Sequence, residues 1–147
     1  YGPPTDLPWG ISIAESSRIP PYNDMSLYPP ESTRFHPTFA YEMIWNLAAV
    51  GLILWFTRRF KNKIKPGTAF AAWLILAGIG RVIIETFRPD QPRIPGTALS
   101  YSRLVAVAMS VAGIIWLLIR YQVITLAFIP PGPETYQVAK KRKWKKK

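Results

Sequence analysis

Apolar residues in this chain gather into long runs instead of recurring every second or every third to fourth position, a pattern that predicts membrane-spanning helices. Three runs have the length: Phe39 to Thr57, Ala69 to Phe87, and Leu104 to Ile119, the last extending past Arg120 toward Ile129. At about 1.5 Å per residue the first two each measure about 28 Å, close to the hydrocarbon thickness of a bilayer. The third reaches that length only by extending. The expected fold is an all-α integral membrane chain with three transmembrane helices at about 39–57, 69–87 and 104–125. The polar flanks divide it into an arm over residues 1–38, a three-helix membrane domain over 39–129 and a basic tail over 130–147.

Proline and glycine punctuate this plan. Pro3, Pro4, Pro8, Pro20, Pro21, Pro29 and Pro30 forbid a long helix before Phe35, because each ring fixes its own φ and restricts the residue before it. An extended extracytoplasmic arm is expected there. Its Trp9, Tyr22 and Tyr28 either sit at headgroup depth, where amphipathic rings collect, or belong to an ordinary surface loop. His36-Pro37-Thr38 then opens the first span, with proline in the first turn and Thr38 as the capping hydroxyl. Pro66-Gly67-Thr68 closes a short connection, so the first two helices are antiparallel. Pro89, Pro92 and Pro95 keep the chain out of helix after the second span. The third span holds Ser110 and Gly113 among apolar residues and reads as a scaffold helix.

Charge sets the orientation. Arg58, Arg59, Lys61, Lys63 and Lys65 separate the first two spans, and Arg120 with Lys140, Lys141, Arg142, Lys143, Lys145, Lys146 and Lys147 follows the third. The opposite flanks carry five arginines mixed with Asp6, Glu15, Asp24, Glu31 and Asp90. Cytoplasmic flanks retain Lys and Arg, so the N-terminus is expected outside and the C-terminus in the cytoplasm. The net charge of +11 is thereby explained without nucleic acid as a partner. A basic run beside a span also attracts anionic lipid, at about 1 kcal/mol per residue. The chain lacks cysteine and has one histidine, so no metal site or cofactor is expected from its own residues. It begins at Tyr1 with no initiator methionine or signal stretch, and reads as a chain that something once preceded.

The chemistry lies in the second span, where Arg81 and Glu85 sit one turn apart in an otherwise apolar run. An ionised side chain at the middle of a membrane helix costs about 2.5 to 3.5 kcal/mol on insertion scales. Either the two neutralise each other and snorkel to the surface, or they face a polar cavity that handles a charged substrate. Arg81 lies about 9 Å inside the outer end, within reach of snorkelling. Gly78 and Gly80 just before it allow close approach, by a packed helix or by a ligand. In the first span Glu42 and Asn46 share one face, with Glu42 near the positive pole of the helix. Tyr41 and Trp45 form a second such pair, interfacial or packing in role.

These residues resemble the bacterial prolipoprotein diacylglyceryl transferases. Tyr1-Gly2-Pro3-Pro4-Thr5-Asp6-Leu7-Pro8-Trp9-Gly10 is similar to the segment after that family's signature. His36-Pro37-Thr38 with Tyr41-Glu42 resembles its His-Pro-Ser/Thr-x-x-Tyr-Glu motif, and Gly80-Arg81-x-x-x-Glu85 with Phe87-Arg88 and Asp90 its penultimate-helix motif. The likeness runs from Tyr1 to about Gly113 and omits the basic tail. It implies a seven-helix enzyme of the bacterial cytoplasmic membrane. Such an enzyme moves diacylglyceryl from phosphatidylglycerol to the lipobox cysteine of a prolipoprotein and releases glycerol phosphate. On that resemblance Arg81, Glu85 and His36 are the expected catalytic residues, and Glu42, Asn46, Tyr41 and Arg88 the expected substrate-binding ones. Two positions depart: Ala77 stands where the family often has tyrosine, and Arg103 where glutamine is usual. The family's first four helices, its His-Gly-Gly segment and its Gly-Arg-x-Gly-Asn-Phe signature are not in this chain, which is not expected to catalyse alone. Partners are then phosphatidylglycerol, a prolipoprotein, and the missing N-terminal half or other membrane chains.

Physical chemistry gives each group a task. A guanidinium can hold two oxygens of a departing phosphate in a fixed fork, in a low-dielectric setting where that is worth most, and Arg81 is placed for it. Glu85 is expected to orient Arg81, since a carboxylate beside a guanidinium makes a poor base. His36 is either the base for the thiol or an anchor of the helix start. A different class of function stays open: a non-catalytic transmembrane subunit, derived or truncated from such an enzyme, that packs into a larger complex.

Overall fold

A computed structural model of the chain describes residues 1–127 and Ile129. After a single 3₁₀ turn at Glu15–Ser17 it has three helices: α1 Thr38–Arg59, α2 Thr68–Glu85 and α3 Tyr101–Arg120. All three are long and apolar enough to cross a membrane. Their 22, 18 and 20 residues correspond to about 33, 27 and 30 Å. Among the described residues the strand-like contacts are isolated bridges only. The tail expected over 130–147 lies outside the described residues.

Helix ends differ from those predicted where turn chemistry decides. Thr38 does not cap α1. Pro37 holds the cap position, and the buried Thr38 directs its N–H to the His36 carbonyl at 2.9 Å. Helix α2 ends two residues before Phe87. Thr86 and Phe87 tighten into i→i−3 bonds on Ile83 and Ile84, and the Thr86 hydroxyl donates to the Ile83 carbonyl at 2.6 Å. Helix α3 stops at Arg120 because Gln122 takes a left-handed conformation with φ of 60°, and the amides of Tyr121 and Val123 turn back on Leu117 and Leu118.

Helix α2 is the middle element and packs on both others, more extensively on α3. A third of its apolar window is buried, against 6% for α1 and 11% for α3. Small residues permit this. On the α3 side a side chain at Gly78 would meet Ala106 and Ser110, and one at Gly113 would meet the Ala71 carbonyl at 2.8 Å. On the α1 side Gly80 lies under the Trp45 indole, whose N–H donates to the Leu76 carbonyl at 2.9 Å. Both glycines of α2 are thus helix-packing positions, and Trp45 is a packing aromatic.

The basic connection is fastened by the end of α3. Gly67, with φ of 91°, starts α2 beneath Trp116. Arg120 Nε donates to the Pro66 carbonyl at 2.9 Å, and Tyr121 Oη meets Thr68 Oγ1 at 3.0 Å.

Residues 1–37 form a folded cap instead of the extended arm expected from their prolines. Pro4 and Ile11 both bridge to Phe35, which is fully buried. Tyr1 and Tyr22 pack edge-on against its ring, and the Arg18 guanidinium lies over it at 5.0 Å. Arg18 is itself buried, donating from Nε to Ile13 O at 3.0 Å and from Nη1 to Tyr28 O at 2.6 Å. Prolines here set the turns, while the aromatic residues between them share one target.

Candidate functional site

At the end of the bundle where α1 begins and α2 ends, Arg81 lies between two helices and a loop. Its Nη1 faces Glu42 Oε1 of α1 across 3.7 Å, and its Nη2 donates to Gln91 Oε1 of the α2–α3 loop at 3.1 Å. The two charged side chains are 27% and 39% exposed, so the guanidinium remains open to a further anion.

Glu85 makes its hydrogen bonds to the loop side instead of to Arg81. It is 5% exposed, and the hydroxyls of Ser100 and Ser102 both donate to its carboxylate, while Arg103 Nε stands 3.8 Å from Oε1. A buried carboxylate must be hydrogen-bonded or paired, and these groups satisfy it from the far side of the loop. The loop is shaped to deliver them. Gly96, with φ of 76°, turns the chain, Ile94 N bonds Leu99 O at 2.8 Å, and Arg93 bridges to Ser100. Ser100 then caps α3, accepting from Arg103 N at 3.0 Å while its own proton serves Glu85.

Arg88 pairs with Asp90 at 3.4 Å within the same loop. Partial burial pushes the Asp90 carboxyl up, but hydrogen bonds from Arg88 and Gln91, with the Arg88 charge, outweigh that and hold it below the usual carboxylate range. It therefore stays an anion throughout the neutral range.

A second cluster occupies the start of α1. Tyr41 Oη receives the Trp9 indole N–H at 2.9 Å and lies 2.9 Å from His36 Nδ1. An indole can only donate, so the phenol oxygen accepts from it. The His36 ring also packs on Phe87, 5.6 Å between centroids. Its backbone accepts from Gly2 N at 2.8 Å and donates to Pro3 O at 3.1 Å. Gly2 fits only without a side chain, since a Cβ would stand 2.7 Å from the Phe87 carbonyl and 2.9 Å from His36 Cβ.

Of the residues singled out from the sequence, Arg81 and Glu42 form a loose ion pair, and Glu85 lies one turn from Arg81, with Ser102 between it and Gln91. His36 and Tyr41 meet each other, Arg88 joins the site through Asp90 and Gln91, and Asn46 is exposed on α1. Gln91, Ser100 and Ser102 were missed. The only hint in the sequence was the Ser-x-Ser pattern at the start of the third span, which reads first as a cap. The whole arrangement offers a fixed cation at the end of an apolar helix, backed by a buried, fully satisfied carboxylate.

Comparison with known proteins adds an independent finding. The family described as prolipoprotein diacylglyceryl transferase matches residues 1–119. The phosphatidylglycerol–prolipoprotein diacylglyceryl transferase of Chloroflexus aggregans is 41% identical over 119 residues, 76% of this chain and 39% of that protein. Its counterpart from Leifsonia xyli subsp. xyli is 35% identical over 133 residues, 90% of this chain and 37% of the relative. That of Gloeobacter violaceus is 34% identical over 118 residues, 80% and 41% of the two. The chain thus spans about two-fifths of the length of the curated relatives it matches. No solved structure matches it.

Proposed function

The chain belongs to the prolipoprotein diacylglyceryl transferase family, and from that premise we propose that it carries the phosphate-holding part of a diacylglyceryl transferase site. The donor is phosphatidylglycerol and the acceptor a prolipoprotein cysteine, as the names of the relatives indicate. The setting is the bacterial cytoplasmic membrane, with the site end of the bundle outside and the basic end in the cytoplasm, as the charge distribution favours.

In the reaction the cysteine sulfur forms a bond to a glycerol carbon of the donor. The C–O bond to phosphate breaks, its electron pair leaves on the phosphate oxygen, and the thiol proton passes to a base. Charge builds on the leaving phosphate, and Arg81 supplies a preorganised fork for it. Glu42, near Arg81 but beyond hydrogen-bond range, is the partner an arriving phosphate displaces. Glu85 fixes the start of α3 against the end of α2 through Ser100 and Ser102. His36 serves as an anchor, its ring held by Tyr41 and Phe87 and its backbone by Gly2 and Pro3.

The observation that carries the reading is the Arg81 guanidinium, held at the end of an apolar helix with its nearest carboxylate 3.7 Å away. The test is Arg81→Ala in the complete gene product. Thioether formation is expected to fall by about 10²- to 10³-fold or more, with membrane insertion intact. Near-normal lipidation would remove Arg81 from the mechanism. Absence of transfer by any preparation, together with copurification in fixed ratio with unrelated membrane chains, would favour a non-catalytic subunit instead.

A further inference from the structure

Arg81 is held from two sides by partners of different character. Glu42 is charged but stands 3.7 Å from Nη1, whereas Gln91 is neutral and accepts from Nη2 at 3.1 Å. The direction of the Gln91 amide is set by its other end, where Nε2 donates to Asp90 Oδ1 at 3.4 Å. Asp90 is in turn held by Arg88. A flipped amide would set N–H against the guanidinium and a carbonyl oxygen against a carboxylate, so one orientation alone satisfies both neighbours. Ser102 Oγ also lies 3.1 Å from the amide oxygen, but it has a single proton. The Glu85 carboxylate, being charged, is the stronger acceptor for that proton, which leaves the amide oxygen to Arg81.

We propose that Gln91 is the positioning residue for Arg81, and that its neutrality is what suits it to the task. A carboxylate in its place would neutralise the guanidinium and compete with an incoming anion. An amide oxygen fixes the plane of the fork and leaves the full positive charge for phosphate. Arg88 and Asp90 act one step further back, as the brace that aims the amide. The inference rests on the transferase reading, since the anion concerned is the phosphate of the donor lipid.

The experiment is a kinetic comparison of variants of the complete gene product, with phosphatidylglycerol in mixed micelles and a lipobox peptide as acceptor. Gln91→Met removes the acceptor at similar size. The KM for phosphatidylglycerol is expected to rise about tenfold with kcat within about threefold, the size of one hydrogen bond used in binding. Gln91→Glu supplies a charged acceptor that competes with the phosphate, and its KM is expected to rise further. KM is independent of how much protein folds, so a poorly expressed variant still reports. A KM unchanged in both variants overturns the proposal, as does a purely kcat effect or a Gln91→Glu enzyme with lower KM than Gln91→Met. Arg81→Ala in the same assay separates the two readings. If it is inactive while the Gln91 variants are normal, only the positioning role fails; if it is active, the phosphate-holding role of Arg81 itself fails.

Discussion

A buried carboxylate imposes its needs on every residue near it, and Glu85 shows how few groups can meet them. Ser100 carries two duties, the cap of α3 and a charge-assisted bond to Glu85, whereas Ser102 carries the second alone. Ser100→Ala is therefore expected to cost about 2.5 to 4 kcal/mol, a cap of about 1 plus a bond to a charged group of about 1.5 to 3. Ser102→Ala should cost less, and denaturant unfolding in detergent measures both; equal losses would refute the double role. Arg81 and Glu85 were readable from sequence because a charge within an apolar run is conspicuous. Their partners were not. Helical spacing says which residues share a face, but Gln91, Ser100 and Ser102 arrive from a loop whose path depends on Gly96 and the Arg93 to Ser100 bridge.

Among the elements, α2 concentrates the constraints, because glycines on two of its faces let α1 and α3 approach together. Gly78→Ala and Gly80→Ala are each expected to destabilise by about 1 to 3 kcal/mol, since the added methyl meets Ala106 and Ser110 in one case and the Trp45 ring in the other. Gly51→Ala on α1 is the matched control. Nothing lies within 4 Å of the added carbon there, so the helix should gain about 0.5 to 1 kcal/mol. Thermal unfolding of the purified variants checks the order, and a uniform response at the three sites would contradict the packing described. The existence and order of these helices followed from run length alone. Their ends did not, because hydropathy is blind to the Thr86 side-chain bond that closes α2 and to the left-handed Gln122 that closes α3.

On the scale of the whole molecule, a folded cap sits on one end of a three-helix layer and a basic turn closes the other. Phe35 is the cap's centre, fully buried beside Tyr1, Tyr22 and Arg18. Phe35→Ala is expected to cost the cap about 3 to 5 kcal/mol. Proteolysis within residues 1–37 should become fast while α2 and α3 stay protected; protection unchanged across the cap would show that Phe35 is not its core. The sequence shows little of this unit, because its prolines indicate only that no long helix forms and a small aromatic cluster around one ring leaves no periodic trace. Trp45 carries one more consequence. Its indole is pegged into the backbone of α2 at Leu76 and Gly80, which fixes the register of α1 along its neighbour. Glu42 lies one turn beyond the peg, so the seating of this one indole also sets how far its carboxylate stands from Arg81.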